Sequence, residues 1–315
     1  MKYSTALVTG GAGFIGSHVA KKLIEEGLTV YILDNLSTGK KKNVPSGAIL
    51  IEGDILDQKL VRGSLKKGVD DVFHLAAKVT IRGTTSEFYS DAQTNIMGTL
   101  NILSFCMGTS VKKFIFSSSM AVYGDSPTPD PIDENHIIAP YSPYGISKYA
   151  CELYVKSICE TAGIDSIILR YFNTYGPNQT FTPYVGAITI FITRILSNEP
   201  LTVFGDGRQC RDFVHVEDIA QGTVKAMHYK GKTGICNLGT GVGNTVNDVV
   251  AVVMKNLKAN TKIDHAPRRA EELVNSVACI DKARNILGYS PKHKFPDKID
   301  EVIEYIKTTS LLTRK

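Results

Sequence analysis

The stretch TALVTGGAGFIGSHVAKKLIEEG, residues 5–27, decides the fold. An apolar run rich in β-branched residues leads into a glycine-rich turn, and an amphipathic helical run follows. Gly10 permits a tight turn, Gly13 lets a pyrophosphate approach the backbone, and Gly16 allows close packing of helix and strand. The free N–H groups at the start of the helix favour phosphate. The stretch therefore predicts a dinucleotide-binding loop.

A carboxylate follows at the end of the next predicted strand. Asp34 closes the run TVYILD, eighteen residues after Gly16. A carboxylate at that position accepts hydrogen bonds from an adenosine ribose and repels a 2′-phosphate. The sequence therefore favours NAD over NADP as the cofactor.

Short β-branched runs alternate with helical runs through the first half of the chain. This alternation is typical of a parallel sheet covered on both faces by helices. The predicted strands are TALVTG, TVYILD, AILIEGD, DVFHLAA, KKFIFSSS and DSIILRYF, and the clearest predicted helices cover residues 13–26 and 91–106. We predict an α/β fold, with a doubly wound Rossmann domain over residues 1–172 that also includes part of 212–240.

The pattern changes after Phe172, where prolines punctuate a mixed region. Its predicted elements are a strand in LTVFGDG, a helix in VEDIAQGTVKAMHY and a helix in NTVNDVVAVVMKNL. The last of these begins with a capping-box pattern, Thr245-x-x-Asp248. We expect residues 173–315 to form mainly a smaller, interleaved α/β lobe that binds the substrate.

The composition of the 315 residues disfavours several classes of protein. Hydrophobic residues at 43% and charged residues at 21% are ordinary for a soluble globular chain. No apolar run is long enough to cross a bilayer, and the N-terminus resembles a first strand and not a signal peptide. The net charge of +5 comes from dispersed lysines, so no nucleic-acid partner is expected. Six scattered cysteines without zinc spacing indicate reduced thiols in a cytoplasmic protein and no metal site.

The run YSPYGISKYA, residues 141–150, places Tyr144 four residues before Lys148. On a helix the two side chains share a face, and an ammonium there would lower the pKa of the phenol from about 10. The positive nicotinamide of NAD⁺ would act in the same direction. Ser119, the third serine of a strand end, could bond the reacting hydroxyl. Such a Tyr–Lys spacing also arises by chance, and only beside the glycine loop does it predict a base rather than an aromatic residue packed on the sheet.

Further segments, in order along the chain, match a known family. TGGAGFIG, GDI, HLAA, TNIMGT, FSSSMAVYG and YGISK resemble the extended short-chain dehydrogenase/reductase superfamily. LRYFNTYGP and RDFVHVEDIA resemble its nucleotide-sugar branch, especially the UDP-hexose 4-epimerases. The resemblance spans nearly the whole chain. It implies an NAD-dependent enzyme that epimerises UDP-glucose and UDP-galactose, or their N-acetylhexosamine analogues, through a 4-keto sugar.

The resemblance also implies roles for individual residues. Catalysis falls to Ser119, Tyr144 and Lys148. The cofactor-binding residues are Gly10, Gly13, Phe14, Ile15, Gly16, Asp34, Asn35, Ser37, Gly39, Asp54, Ile55, Leu75, Ala76, Ala77, Lys78, Asn95, Ser117, Tyr144, Lys148 and Tyr171. The residues that bind the UDP-sugar are Asn173, Thr202, Phe204, Arg211, Arg269 and Glu272.

Within the substrate set, Phe204 resembles the aromatic residue that packs on uracil, while Arg211 and Arg269 resemble a diphosphate clamp. Glu272 stands where the family usually has Asp, and the preceding Gly is missing, so a different local loop is expected. Ser276 falls near the position that faces the C2 substituent of the sugar. A small residue there would admit an N-acetyl group.

Several related enzymes share the 4-keto intermediate and stay open as alternatives: a UDP-sugar dehydratase, a decarboxylase and a UDP-glucuronate 4-epimerase. Dehydratases typically carry Asp-Glu after the strand-end hydroxyl, and decarboxylases keep a Glu there. This chain has Met120 and Ala121, which cannot transfer protons. A non-catalytic NAD-binding regulator is a further alternative, which the retention of Ser119, Tyr144 and Lys148 disfavours.

The resemblance implies a homodimer. Relatives often dimerise through the helix after TNIMGT and the helix that starts at Tyr144. The segment YACELYVKSICE has apolar residues on more than one helical face, which suits burial against both the sheet and a partner.

Overall fold

The structure, a computed structural model, describes residues 4–81, 83–126, 128–182, 186–268 and 273–313. Its strands are β1 Thr5–Thr9, β2 Thr29–Asp34, β3 Ile49–Glu52, β4 Asp71–His74, β5 Lys113–Ser119, β6 Asp165–Tyr171, β7 Asn173–Tyr175, β8 Leu201–Phe204, β9 Cys210–His215, β10 Gly234–Leu238, β11 Gly243–Thr245, β12 Ile263–Ala266 and β13 Asn275–Ser276.

The α-helices are α1 Phe14–Glu25, α2 Gln58–Leu65, α3 Thr85–Ala92, α4 Gly98–Cys106, α5 Pro143–Ala162, α6 Ala187–Leu196, α7 Val216–Lys225, α8 Val246–Leu257, α9 Asp281–Leu287 and α10 Ile299–Thr313. Short 3₁₀ turns cover Lys41–Asn43, Met120–Val122 and Ala226–His228. A π-helical turn, Gln93–Met97, joins α3 to α4.

The large sheet has seven parallel strands in the order β3-β2-β1-β4-β5-β6-β10. The predicted doubly wound Rossmann sheet is therefore confirmed. The strand order reverses between β1 and β4. In open sheets of this kind, ligands bind in the crevice beyond the carboxyl ends of the strands at the point of reversal.

Both faces of the large sheet are buried, which explains its continuous apolar strands. Along β1, Ala6 and Val8 belong to the core that also holds apolar side chains of α1 and α7, such as Val19 and Ile219. Leu7, between them, joins the opposite core with α2, α4 and α5. The alternation along one strand thus packs a helical layer against each face.

The smaller lobe is built around β9, which pairs in parallel with β7 and β13 and antiparallel with β11. Strands β8 and β12 form a separate parallel pair. Apolar residues of α6, α8 and α10 make the core of this lobe. Helix α8 begins with the predicted capping box, in which Thr245 and Asp248 bond each other's backbone amides.

The chain crosses between the two sheets. Strand β10, residues 234–238, adds to the edge of the large sheet beside β6, although it follows β7, β8 and β9 in sequence. The division into residues 1–172 and 173–315 stays a prediction.

The helix predicted over 91–106 starts earlier than the periodicity indicated. A capping box between Thr84 and Glu87 begins α3, and the π turn inserts an extra residue before α4. The widened turn disrupts the 3.6-residue period, which explains why the first part was missed. Across the described residues, we find no helix long and apolar enough to span a membrane.

Candidate active site

A cavity of about 810 Å³ opens at the carboxyl ends of the parallel strands. Its wall combines the ends of β1 to β6 with the first turns of α1 and α5. Residues of β7 and β9 from the smaller lobe complete the wall. The cavity thus lies where the strand order reverses and where the two lobes meet.

The glycine loop forms one side of this cavity. Gly10 has a φ of +72°, and a Cβ on it would lie 2.8 Å from Ala76 Cα. A Cβ on Gly16 would overlap the carbonyl oxygen of Gly10. Gly13 is the N-cap residue of α1, and no described side chain caps that helix. The loop therefore leaves helix N–H groups for an anionic ligand, as a bound dinucleotide pyrophosphate requires.

Asp34 fixes the far side of the loop. It is buried at the end of β2, where Oδ2 accepts from the Ala12 amide at 2.9 Å and Oδ1 from the Leu36 amide at 2.8 Å. A Cβ on Gly39 would lie 2.9 Å from Asp34 Oδ1. Each carboxylate oxygen keeps further lone-pair capacity, so the backbone bonds do not prevent a ribose contact.

The loop that follows β4 is held from behind by α3 and the π turn. Asn95 accepts from the Lys78 amide through Oδ1 and donates to the Lys78 carbonyl through Nδ2, both at 2.8 Å. Asp91 accepts from the Thr80 amide at 3.2 Å. The Thr80 carbonyl in turn accepts from the amide of Tyr144 at 3.3 Å. Asn95 is thus a positioning residue behind the cavity wall.

Tyr144, Ser119 and Lys148 meet at the end of β5. Ser142 caps α5. The phenol of Tyr144 has a hydrogen bond with the side chain of Ser119, which acts to lower the pKa of the phenol. Lys148 is buried, donates from Nζ to the Ser117 carbonyl at 2.7 Å, and lies 5.7 Å from the centre of the Tyr144 ring. The sequence spacing has therefore brought a phenol, a hydroxyl and an amine together.

Gly145 explains how α5 comes so close to β5. A Cβ at this position would overlap the carbonyl oxygen of Ala121, in the 3₁₀ turn that Ser119 caps. Ser119 Oγ accepts from the Ala121 amide at 3.2 Å. Gly145 is therefore required for the contact between α5 and the 3₁₀ turn at Met120–Val122.

The predicted direction of the Tyr144 pKa is wrong for the protein alone. Burial raises the pKa of Tyr144 above its usual value of 10, and the negative charge of Asp91 adds to this, while Ser119 acts in the opposite direction. Burial also lowers the pKa of Lys148 to about 8. The helical spacing gave the contact, but it carried no information on desolvation, which is the largest influence on the pKa of the phenol.

A buried ion pair beside β5 was not predicted from the sequence. Arg170 donates from Nε and Nη2 to the two carboxylate oxygens of Glu152, at 2.9 and 2.6 Å. Ser118 donates to the same carboxylate at 2.5 Å. Glu152 continues the face of Tyr144 and Lys148 at a spacing of four residues, and that spacing was the available signal.

His74 is a second buried group that the sequence did not identify. The Thr99 hydroxyl donates to the Asn95 carbonyl at 2.6 Å, so it accepts from His74 Nε2 at 2.9 Å. His74 Nδ1 then accepts from Thr9 at 2.7 Å, and Thr9 Oγ1 accepts from the Ala76 amide at 3.2 Å. Burial lowers the pKa of His74 to about 3, so the imidazole is a neutral structural link.

Among the described residues, only some of those predicted to bind the substrate line the cavity. Arg211 and Asn173 line the cavity, and Ser276, fully buried, is the register partner of Arg211 on β13. Ser276 accepts from Asn173 Nδ2 at 3.3 Å. Thr202 and Phe204 lie on β8 and are absent from the described wall. Arg269 and Glu272 lie outside the described residues.

Most of the other predicted residues do line the cavity. The predicted residues in its wall are Gly10, Gly13, Phe14, Ile15, Gly16, Asp34, Asn35, Ser37, Asp54, Ile55, Leu75, Ala76, Ala77, Lys78, Ser117, Ser119, Tyr144, Lys148, Tyr171, Asn173 and Arg211. Met120 and Ala121 also face it.

Comparison with known proteins gives a consistent result. Residues 6–239 match the model of the NAD dependent epimerase/dehydratase family. The chain is 36% identical over 310 residues to a UDP-glucose 4-epimerase of Rhizobium meliloti, covering 93% of this chain and 94% of the relative.

Two solved structures are similar over nearly their full length. The UDP-glucose 4-epimerase of Thermotoga maritima with UDP-glucose gives a TM-score of 0.91 at 37% identity, covering 97% of this chain and 99% of that one. The UDP-N-acetylglucosamine 4-epimerase of Methanobrevibacter ruminantium M1 in complex with UDP-N-acetylmuramic acid gives 0.90 at 35% identity, with coverages of 98% and 100%. The family model covers most of this chain, and a relative that is 36% identical covers nearly all of it, so this chain belongs to the NAD-dependent epimerase/dehydratase family.

Proposed function

We propose that the protein is a UDP-hexose 4-epimerase that works through a 4-keto sugar. One observation carries the proposal: Ser119, Tyr144 and Lys148 share a cavity with Met120 and Ala121. The first three can move a proton at one sugar hydroxyl. The other two have no titratable group, so neither can transfer a second proton.

In this proposal Tyr144 removes the proton of the 4′-hydroxyl, and Ser119 bonds the same oxygen. The buried ammonium of Lys148 stabilises the tyrosinate. Bound NAD⁺ supplies the hydride acceptor, and its reduced form the donor, at C4. Asn173 and Arg211 hold the UDP part while the keto sugar turns over, and Tyr144 returns the proton.

The cofactor assignments rest on the same geometry. Gly10, Gly13 and Gly16 would cradle the pyrophosphate, and Asp34 would accept from the adenosine ribose. Lys78 reaches the cavity with its Nζ donating to Ser90 at 3.0 Å. Because the cofactor would be regenerated in each cycle, we expect it to remain bound through purification.

Dehydration and decarboxylation on this scaffold are disfavoured by Met120 and Ala121. Elimination of water needs a general acid and base beyond the tyrosine. UDP-glucose and UDP-N-acetylglucosamine, together with their C4 epimers, are the proposed substrates, since relatives of near-equal similarity are named for each.

A panel of UDP-sugars tests the proposal. The purified protein would be incubated separately with UDP-glucose, UDP-N-acetylglucosamine and UDP-glucuronate, and the products identified by NMR. We expect the C4 epimer of UDP-glucose, of UDP-N-acetylglucosamine or of both, without added NAD. Conversion of UDP-glucuronate alone would favour the glucuronate epimerase instead. A 4-keto-6-deoxy product or a pentose would contradict the epimerase assignment. Tight binding of NAD and UDP without any product would favour a regulator.

A further inference from the structure

A cluster of nitrogen and oxygen atoms lies at the start of α7, formed by residues with no role in the proposed reaction. His215 is the N-cap residue of this helix, Glu217 lies in its first turn, and His293 comes from the segment between α9 and α10. Glu217 Oε2 is 3.6 Å from His293 Nε2 and 4.0 Å from His215 Nδ1. One ligand atom from each residue lies within 4.8 Å of the others.

The hydrogen bonds around the cluster set which atoms carry lone pairs. Asp218 Oδ2 is 3.1 Å from His293 Nδ1, and a carboxylate can only accept, so Nδ1 carries the proton. In the neutral imidazole of His293, Nε2 is then the unprotonated nitrogen, on the side of Glu217. His215 Nδ1 accepts from the Glu217 amide at 3.4 Å, so it too is unprotonated, and a bound ion would displace this long hydrogen bond. Three groups that can donate an electron pair to a metal thus lie close together.

We propose that His215, Glu217 and His293 bind a divalent transition-metal ion, for which Zn²⁺ is the best fit. Two imidazoles and a carboxylate are a common zinc ligand set. Zn–ligand bonds of about 2.0–2.1 Å place tetrahedral ligands about 3.3 Å apart. The three ligand atoms, which lie within 4.8 Å of one another, would therefore move closer by up to about 1.5 Å on binding the ion. Asp218 acts as the outer carboxylate that orients a zinc-bound histidine.

Asp218 is itself well fixed, which makes it suited to this role. It also accepts from the backbone amides of Lys292 at 2.9 Å and His293 at 2.9 Å. The segment that carries His293 is therefore already docked on α7. An ion here would tie that segment to β9 and α7, on the side of β9 where Tyr175 of β7 is the register partner of His215.

Lys298 supplies an internal competitor for the ion. Its Nζ lies 3.8 Å from Glu217 Oε2 and 3.4 Å from Glu301 Oε2, and its side chain is one-third exposed. When the metal takes Glu217, the ammonium can remain with Glu301. The competition predicts that removing the lysine strengthens metal binding.

Calorimetric titration of the chelator-treated full-length protein with ZnCl₂ tests the site. We expect one ion per chain. We expect Glu217→Gln and His293→Gln each to weaken binding by at least about tenfold. Lys298→Met should bind several-fold more tightly, and the control His228→Gln, at an exposed histidine, should bind as the wild type does.

Cobalt absorption separates this site from the cysteines. Co²⁺ bound by imidazole and carboxylate gives weak visible bands and lacks the strong near-ultraviolet band of thiolate ligation. The proposal is overturned if the wild type binds no zinc, if the two ligand variants bind within twofold of the wild type, or if the cobalt spectrum shows thiolate. None of these readouts depends on epimerase activity.

Discussion

Tyr144 illustrates how far one residue depends on its surroundings. Its amide is held by the Thr80 carbonyl, its helix approaches β5 because Gly145 has no side chain, and burial raises its pKa. In the proposed reaction this phenol must ionise, so NAD⁺ and Lys148 have to offset the cost of burial. The tyrosine is therefore expected to be a base only in the cofactor-bound protein.

Tyr144→Phe tests the assignment of the base. The change removes one hydroxyl and keeps the ring, so we expect turnover to fall by at least about a hundredfold, in the range of lost acid–base catalysis. Tyr141→Phe, at an exposed tyrosine three residues earlier, should leave turnover unchanged. Initial rates on the active UDP-sugar measure both. If Tyr144→Phe retained more than about a tenth of wild-type turnover, another residue would be the base.

Lys148 leads to a second prediction, which concerns the free energy of unfolding as a function of pH. The pKa of its amine is about 8 in the folded chain against 10.5 unfolded. The unfolded chain therefore holds more protons between these values, and folding becomes more favourable as pH rises through that window. Lys148→Met has no such dependence. Between pH 7 and 9.5, we expect the free energy of unfolding of the wild type to rise by about 2 kcal/mol relative to that of the variant.

Urea unfolding of both proteins at the two pH values measures this difference. Lys112→Met, which removes an exposed lysine, should track the wild type at both pH values. A gap between wild type and Lys148→Met that stays constant with pH would mean that the buried amine keeps an ordinary pKa.

At the scale of elements, α1 and the glycine loop form one unit. Gly16→Ala would place a methyl group against the Gly10 carbonyl oxygen, so the helix must move away from the loop. We expect a loss of about 1–3 kcal/mol in unfolding free energy and loss of bound NAD. Calorimetric unfolding and cofactor content after purification measure these effects.

Gly63→Ala is the matched control, because a Cβ on Gly63 meets nothing within 4 Å and the residue lies in α2. Replacing glycine by alanine in an exposed helix stabilises by about 0.4–1 kcal/mol. A Gly16→Ala protein that kept wild-type stability and full cofactor would contradict the close approach of α1.

The Arg170–Glu152 pair joins β6 to α5 beside β5. Removing one partner of a buried ion pair leaves the other charge buried without a partner. We therefore expect Arg170→Met to cost about 3–5 kcal/mol in unfolding free energy. Glu52→Gln, which breaks the exposed contact with Lys41, should cost under about 1 kcal/mol. Urea unfolding compares the two. Equal costs would show that the buried pair is not needed for stability.

At the scale of the whole molecule, the unpartnered helical surface supports the expected homodimer. Met97 in the π turn and Ile146, Leu153 and Tyr154 on α5 are exposed apolar residues. We expect Leu153→Glu to shift a dimer to monomer, because it places a charge in the apolar contact. Ile263→Glu, which places the same charge on an exposed apolar residue of β12, should leave the assembly unchanged. Sedimentation velocity distinguishes the two, and a monomeric wild type would end the prediction.

The sequence predicted the large sheet well because its strands are local apolar runs followed by glycine, acidic or serine residues. The helical spacing of four placed Tyr144 and Lys148 on one face, and the family resemblance placed Ser119 beside them. The sequence could not place Phe204, since the position of β8 relative to the cavity depends on how the smaller lobe packs. The three-residue cluster at His215 was invisible, because His293 is distant in sequence and joins it only through the fold.

The position of β10 affects how the protein is synthesised. Its partner β6 ends at Tyr171, yet β10 begins at Gly234, so the large sheet is incomplete until most of the chain has been translated. Until then the growing polypeptide exposes the unpaired edge of β6, a hydrogen-bonding template for neighbouring nascent chains. A ribosome that stalls between these two strands would therefore release a fragment prone to aggregation.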